Sequence, residues 1–465
     1  MLTIIGLIVI VAIVVTLITE KLSPLVALTA IPFAGALAAG YSLSEISDFF
    51  QSGVTRVANV AFMFMFAILF FSIMKERGLF DPIVRGVIKL TRGNVIAVAV
   101  MTTLLAGIVH LDGSGAATFL IVIPALLPLY QRLGMRPLLL LLLMSMSMGV
   151  MNMVPWGGPI GRAGAVTGVD PTELWHALIP VQLCGMIGAL ALAALFGWRE
   201  QRLIRAQHGE QSSHQAMTMP LQSTVAAHAA SEPRRLPEFK RMQRRVQAQF
   251  GDDEEQSIPE AGLPRHFWIN LAIVITVVAV LAMGWLAPAY TFMLALGAAF
   301  AVNLPRPADQ AVAIKKHAPQ ALNMAAIIGA AGAFLGILSD GGMLTSIAND
   351  LANTLPRESI AWLHVVVGIF GVPLDMLTST DAYYFALLPV VQEVTAPAGV
   401  DPRSVVYAMA IGNNAGTFVS PFAPAVWLAV GLAGVQMGQH LRFSFPIIWL
   451  FSLYLLGLGA LFGLF

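Results

Sequence analysis

Long apolar runs punctuated by short polar stretches dominate the chain. Runs of about 16–22 residues recur, which is the length an α-helix needs to cross a bilayer core. The pattern predicts spans near 2–18, 24–40, 57–74, 138–168 and 177–198 in the first half. In the second half it predicts spans near 267–287, 289–304, 322–338, 405–433 and 445–465. Two further apolar segments, 94–130 and 357–394, carry polar residues at their middles, His110 to Thr118 and Asp375 to Asp381. In a consistent topology each begins and ends on one membrane side, so both read as re-entrant hairpins. The apolar start, from Met1 to Ile18, lacks a basic leading region and an Ala-x-Ala site, and reads as a span rather than a cleaved signal.

The runs 138–168 and 405–433 are too long and too interrupted for plain helices. The first breaks at Asn152-Met153-Val154-Pro155-Trp156-Gly157-Gly158-Pro159, the second at Thr417-Phe418-Val419-Ser420-Pro421-Phe422-Ala423-Pro424. Proline removes backbone donors and glycine loosens the helix, so polar backbone groups are freed at depth. Such groups persist in a membrane where they line a cavity or a bound solute.

The halves also repeat. Gly78-Leu79-Phe80 pairs with Gly342-Met343-Leu344, Leu111-Asp112 with Leu374-Asp375, and Pro124 with Pro389. Gly134 and Pro137 pair with Gly399 and Pro402; Pro155, Gly168 and Pro180 pair with Pro421, Gly434 and Pro446. The offset drifts only a few residues over roughly 100 positions, and internal repeats with paired helix breaks are the usual architecture of secondary transporters. Segment 75–93 carries Lys75, Arg77, Arg85, Lys89 and Arg92, whereas its equivalent 339–357 carries only Arg357. Cytoplasmic loops favour Lys and Arg, so equivalent loops fall on opposite sides and the repeats invert. The expected fold is an all-α polytopic membrane protein of two inverted-topology repeats, each with a re-entrant hairpin and a broken transmembrane helix. The repeats cover 1–198 and 266–465. The linker 199–265 and the Arg306–His317 loop are expected on the cytoplasmic side of the cytoplasmic (inner) membrane, and both termini outside.

Composition agrees with membrane residence: 57% of residues are hydrophobic and 11% charged, too few charges to cover a soluble surface. The linker alone holds 10 Lys/Arg and 9 Asp/Glu, leaving 32 of 51 charges for the other 398 residues. It reads as a solvated loop with a short helix near 236–249. A net charge of +1 and the lack of a basic stripe give no sign of nucleic acid. The single cysteine, Cys184, excludes an intramolecular disulfide and a cysteine-based metal site. No nucleotide-binding loop and no catalytic set such as His-Glu-x-x-His is present, so neither ATP-driven transport nor an enzyme is indicated.

Candidate chemistry sits at the tips and breaks. The first tip reads His110-Leu111-Asp112-Gly113-Ser114-Gly115-Ala116-Ala117-Thr118. Its small residues allow close approach of a solute, and helix N-termini favour anions. A carboxylate at this depth is a functional candidate by default; Asp112 either serves the site or caps the following helix. His110 either titrates near neutrality or is a hydrogen-bonded helix-end residue. The second tip offers Thr378, Ser379, Thr380 and two acids, Asp375 and Asp381, with Asp381 placed like an N-cap. Arg162, the one basic residue in the first broken span, needs an anion, either a substrate carboxylate or one of these aspartates. Asn152, Asn413, Asn414, Thr417 and Ser420 can bond a carboxylate, coordinate a hard cation, or bridge helices. The substrate-binding candidates are thus Asp112, Gly113, Ser114, Gly115, Thr118, Asn152, Pro155, Gly157, Gly158, Arg162, Thr378, Ser379, Thr380, Asn413, Asn414, Thr417 and Ser420. His110, Asp112, Asp375 and Asp381 are candidates for coupling to a proton or metal. The run Met144, Met146, Met148, Met151, Met153 reads as adaptable packing, and Phe62, Phe64, Phe66, Phe70 and Phe71 as a face toward lipid or a second subunit.

At these motifs the chain resembles the citrate–metal–proton symporter family of the ion transporter superfamily. The residues are His110-Leu-Asp-Gly-Ser-Gly-Ala-Ala-Thr-Phe-Leu120, Gly149-Val-Met-Asn-Met-Val-Pro-Trp-Gly-Gly-Pro159, Thr378-Ser-Thr-Asp-Ala-Tyr-Tyr384 and Ser420-Pro-Phe-Ala-Pro424. The resemblance covers the chain outside the linker. It implies a secondary active transporter importing citrate complexed to a divalent metal (Mg or Ca-like), driven by protons and working by alternating access as a homodimer. No cofactor and no metal held without substrate are implied. Related families place Ser-Asn-Thr at the tips and use sodium; a sodium-coupled dicarboxylate symporter or a cation/proton antiporter is the alternative reading.

Overall fold

The computed structural model describes residues 1–19, 21–91, 93–217, 263–354 and 356–465. Helices carry the fold throughout, with no strand among the described residues. Six are long and apolar enough to cross a membrane: Leu43–Glu76, Val95–Asp112, Gly115–Arg132, Pro171–Ala206, Pro307–Asp340 and Met437–Leu461. Shorter apolar helices lie between them, giving a multi-pass membrane protein.

In chain order the first helices are α1 (Leu2–Ile18), α2 (Pro24–Ala38), α3 (Leu43–Glu76) and α4 (Asp81–Thr91). Next, α5 (Val95–Val109) and α6 (Gly115–Arg132) fold back on each other through a 3-10 turn at His110–Asp112 and Gly113. Gly113 has φ 72°, a left-handed backbone that glycine adopts without a Cβ penalty. A second interrupted unit follows: α7 (Pro137–Met151), an irregular stretch, then α8 (Gly158–Thr167). The first half ends in α9 (Pro171–Met217).

The second half opens with α10 (Phe267–Met283), α11 (Pro288–Asn303), α12 (Pro307–Asp340) and α13 (Met343–Thr354). Short helices α14 (Arg357–Ala361), α15 (Leu363–Ile369) and α16 (Gly371–Leu377) lead to a turn at Thr378 and Ser379. The chain returns through a π-helical turn at Tyr383–Leu387 into α17 (Leu388–Thr395). Then come α18 (Pro402–Asn413), a 3-10 turn at Gly416–Phe418, α19 (Pro424–Ala433) and α20 (Met437–Leu461).

The pair α3 and α12 forms the spine. Each is 34 residues long, and they run antiparallel: Arg56 reaches Asp340 at 2.7 Å, while Glu76 meets Lys316 at 3.3 Å and His317 at 3.0 Å. They touch through glycines, since a Cβ on Gly53 would run into the Gly332 carbonyl oxygen and one on Gly336 into that of Phe49. A second tie fixes the start of α7. Glu200 of α9, with its side chain 2% exposed, accepts from the Arg136 backbone N–H at 2.9 Å and from its guanidinium at 2.5 Å. The half-exposed guanidinium contributes little Coulomb energy; the buried acceptor matters more. Glu200→Ala is expected to lower stability by about 2 kcal/mol, read as a drop in melting temperature of the detergent-purified protein, and an unchanged melt would show that the tie is idle.

Several details differ from the sequence-based expectation. Helix α12 starts at Pro307, so 307–317 is helical and not a loop. Segments 75–93 and 339–357 hold α4 and α13. Helix α9 runs to Met217, well into the expected linker; the remaining linker residues 218–262, with the short helix expected near 236–249, lie outside the described residues. Phe64, Phe70 and Phe71 are buried rather than lipid-facing. Phe71 stacks on Trp156 at 5.8 Å and both meet Phe292, so this aromatic set is interior packing. Phe62 alone of the five is exposed to half or more.

Candidate functional site

Four interruptions meet in one place: the tip between α5 and α6, the turn after α16, the break between α7 and α8, and the break between α18 and α19. Each exists because local sequence stops a helix. At the first tip Gly113 turns left-handed, and Ser114 caps α6 by accepting from the Ala117 N–H at 3.3 Å. Asp112 Oδ1 accepts from the Ser114 N–H at 2.8 Å and so steadies the turn; the cap itself is Ser114. His110, 1% exposed, pairs its Nδ1 with the Thr118 hydroxyl at 3.0 Å. The Trp156 indole donates to the Leu111 carbonyl at 2.7 Å, fastening this tip to the first break.

In that break Asn152 to Gly157 leave the helix before Gly158 and Pro159 start α8. A Cβ on Gly157 would press on the Asn152 and Val154 carbonyl oxygens at 2.5 and 2.9 Å. Gly158 has a different use: a Cβ there would lie 2.6 Å from Arg162 Nη1, so its absence lets the guanidinium lie back along the helix start. Arg162 Nε then donates to Asp381 Oδ1 at 2.7 Å, with side chains 15% and 19% exposed, while the guanidinium sits 5.9 Å from the Phe385 ring centroid.

The second tip is capped by Ser379, which accepts from the Ala382 N–H at 3.2 Å. Asp381, placed by sequence as the N-cap, sits instead inside the first turn and turns its carboxylate to Arg162. Thr378 donates to the Leu374 carbonyl at 2.9 Å. Asp375, fully buried, accepts from the Thr380 hydroxyl at 3.2 Å.

The second break joins everything. The Ser420 hydroxyl donates to the Asp375 backbone carbonyl at 2.6 Å, and the Thr417 and Thr380 hydroxyls lie 3.4 Å apart. On its other side the Phe418 ring meets His110 edge-on at 5.2 Å, and a Cβ on Gly115 would touch that ring at 3.0 Å. Asn413 donates to the Gly371 carbonyl at 3.2 Å, whereas neither side-chain polar atom of buried Asn414 finds a partner. The two tips are therefore bridged through Thr417, Phe418 and Ser420, and Arg162 closes the ring from the first break. Pro155 is buried in the first break, beside Trp156.

Some contributors were not singled out from sequence. Trp156 and Phe385 hold the tip and the guanidinium, and Ser145 and His440 both reach the Phe418 carbonyl, at 3.1 and 3.3 Å. A tryptophan between Pro155 and Gly157 was a usable signal. For His440 there was none, because its partner is a backbone oxygen freed by a break 22 residues away.

The profile of the citrate transporter family, CitMHS, matches residues 2–412. The chain belongs to that family. A Bacillus subtilis (strain 168) citrate transporter is 31% identical over 444 residues, covering 96% of this chain and 95% of the relative. A Mg(2+)/citrate complex secondary transporter of the same organism is 32% identical over 444 residues, covering 96% and 94%. The crystal structure of the Alcanivorax borkumensis YdaH transporter superposes with a TM-score of 0.54 at 15% identity, over 91% of this chain and 90% of that one; that likeness concerns the fold alone. This citrate transporter family member is a secondary transporter and not an enzyme.

Proposed function

We propose that the protein imports citrate as its complex with a divalent metal ion, driven by protons, by alternating access across the cytoplasmic membrane. The observation that carries the reading is the part-buried Arg162–Asp381 pair at the junction of four helix interruptions. The guanidinium is a fork suited to a carboxylate, and the carboxylate beside it opposes a highly charged anion. Free citrate bears about three negative charges near neutrality, and their desolvation in such a site is costly; a divalent ion chelated by citrate itself cuts the load to about minus one. The named substrates of the Bacillus relatives agree with this choice. The residues from the two tips and two breaks, including Gly113, Ser114, Gly115, Thr118, Asn152, Thr378 and Ser379, would surround the complex.

Two inverted repeats, a linker on the cytoplasmic side, external termini and a homodimer complete the proposal. The lysine and arginine imbalance between 75–93 and 339–357 supports the inversion. The 264-residue offset shared by both ends of α3 and α12 supports the repeat itself, and their antiparallel pairing agrees with its inversion.

The test is uptake of radiolabelled citrate into proteoliposomes with magnesium and pH varied independently. Uptake should need both citrate and magnesium and rise with an inward proton gradient. Undiminished uptake under a chelator would defeat the metal-complex reading. A sodium gradient that replaces the proton gradient would favour a sodium-coupled carboxylate symporter.

A further inference from the structure

Four ionisable side chains lie at the two tips, and all four have at least one partner; two of them, His110 and Asp375, also keep a buried polar atom without one. Asp381 faces Arg162 at 2.7 Å. Asp112 takes a backbone N–H, that of Ser114, at 2.8 Å. His110 pairs with Thr118 at 3.0 Å. Asp375 is different. It is 0% exposed, on α16 just before the turn, and only its Oδ1 is engaged, by the Thr380 hydroxyl at 3.2 Å. Its Oδ2 is buried with no partner. Among the described residues no Lys, Arg or His nitrogen forms an ion pair with it.

We propose that Asp375 is the residue that carries the transported proton, and that it stands as a neutral carboxylic acid in the conformation seen here. This assignment rests on the proton-coupled reading above.

An ionised carboxylate in a water-poor interior needs a counter-charge or several hydrogen bonds, and without them it takes up a proton instead. The one amide beside it, that of Asn413 from α18, acts on Asp375 as a donor but already donates to the Gly371 carbonyl at 3.2 Å, so it is shared between two acceptors. A proton on Asp375 removes the charge that one hydroxyl and one shared amide leave largely uncompensated.

Beyond the Thr380 hydroxyl and the shared Asn413 amide, the surroundings supply no unshared positive charge. The charged groups that act on Asp375 are Arg162, from α8, and Asp381, on the same hairpin, and these two already neutralise each other. Tyr383 and Tyr384 face it from the π-helical turn. From α20, His440 is held by the Phe418 carbonyl and by Ser444. The second break passes Asp375 with Gly416, whose Cβ would lie 3.2 Å from the Asp375 Cβ, and with the hydroxyls of Thr417 and Ser420.

Position supports a coupling role. The Ser420 bond to the Asp375 carbonyl and the Thr380–Thr417 contact tie the acid to both the hairpin tip and the second break. A change in its protonation therefore bears on two of the four interruptions at once. The proton leaves, on this view, when the site opens and water reaches Oδ2.

Asp375→Asn keeps the shape of the neutral acid and cannot release a proton. In proteoliposomes the variant should still exchange external labelled citrate for internal citrate in the presence of magnesium at equal pH. It should lose accumulation driven by an inward proton gradient, by about tenfold or more, with exchange retained; that split separates coupling from binding. Asp375→Glu should keep gradient-driven accumulation with a displaced pH profile. Normal gradient-driven accumulation by Asp375→Asn overturns the assignment. So does an unshifted pH profile in Asp375→Glu, which remains decisive should the Asn variant fail to fold. If the unaltered protein itself accumulates citrate without any response to the proton gradient, the proton-coupled reading fails first, and this assignment goes with it.

Discussion

Gly53→Val is expected to destabilise the fold strongly. Helices α3 and α12 approach so closely that backbone meets backbone: a Cβ at Gly53 would enter the Gly332 carbonyl and lie 2.9 Å from the Gly336 Cα. A Cβ at Gly332 would in turn lie 2.8 Å from the Gly53 carbonyl oxygen. Neither obstacle can rotate away, because both are main chain. Within lipid, apolar side chains gain nothing by meeting one another, so helix association relies on close packing of this sort. Valine must push apart two 34-residue helices, and the cost is put at about 3 kcal/mol, the upper end for an overpacked core. Fluorescence-detected size-exclusion after heating would show the loss. Gly297→Ala is the control: nothing lies within 4 Å of the added carbon, and its effect should stay within about 0.5 kcal/mol. Equal melting of the Gly53→Val and unaltered proteins would mean that the crossing does not hold the fold.

The helix interruptions were legible because proline and glycine announce themselves. The break predicted at Asn152–Pro159 falls between Met151 and Gly158, and the one at Thr417–Pro424 falls between Asn413 and Pro424. Helix lengths were less legible. The first turns of α3 and α12 are polar, carrying Glu45 and Asp48, and Asp309, Lys315 and Lys316, so hydropathy began each span about 14 or 15 residues late, at 57 and 322 against Leu43 and Pro307. Local chemistry could have corrected this. Ser42 and Glu45 form a capping box, with the Ser42 N–H donating to Glu45 at 2.8 Å, and Pro307 stands at the first position of α12. The phenylalanines of α3 misled because hydropathy cannot tell a lipid-facing ring from one stacked on Trp156. Pairing across the site was out of reach: Arg162 and Asp381 are 219 residues apart, and nothing in either neighbourhood prefers that partner over Asp112 or a bound carboxylate.

That pair supports the second large prediction. Arg162→Gln alone leaves the Asp381 carboxylate without its cation, and Asp381→Asn alone leaves a guanidinium mostly shielded from water. Removing one member of a fully buried pair costs about 3–5 kcal/mol, whereas replacing both by neutral groups costs far less; for this part-buried pair the single cost is put at the lower end, about 3 kcal/mol. The double variant Arg162→Gln/Asp381→Asn should therefore melt well above either single variant, giving a coupling of about 2 kcal/mol or more in the double-mutant cycle. Transport separates a structural pair from a working one. If Arg162 and Asp381 only hold α8 to the second hairpin, the double variant regains citrate uptake along with stability. If the guanidinium receives a substrate carboxylate, all three variants stay inactive, and the double variant is the informative one because it is folded and still fails. Capping cannot explain such a loss, since Ser379 holds the cap and asparagine would serve there equally well. Uptake and magnesium-dependent citrate binding by the folded double variant are the measurements. Near-normal values for both would remove Arg162 from the binding site and leave the recognition of citrate to the hydroxyls and amides of the tips and breaks.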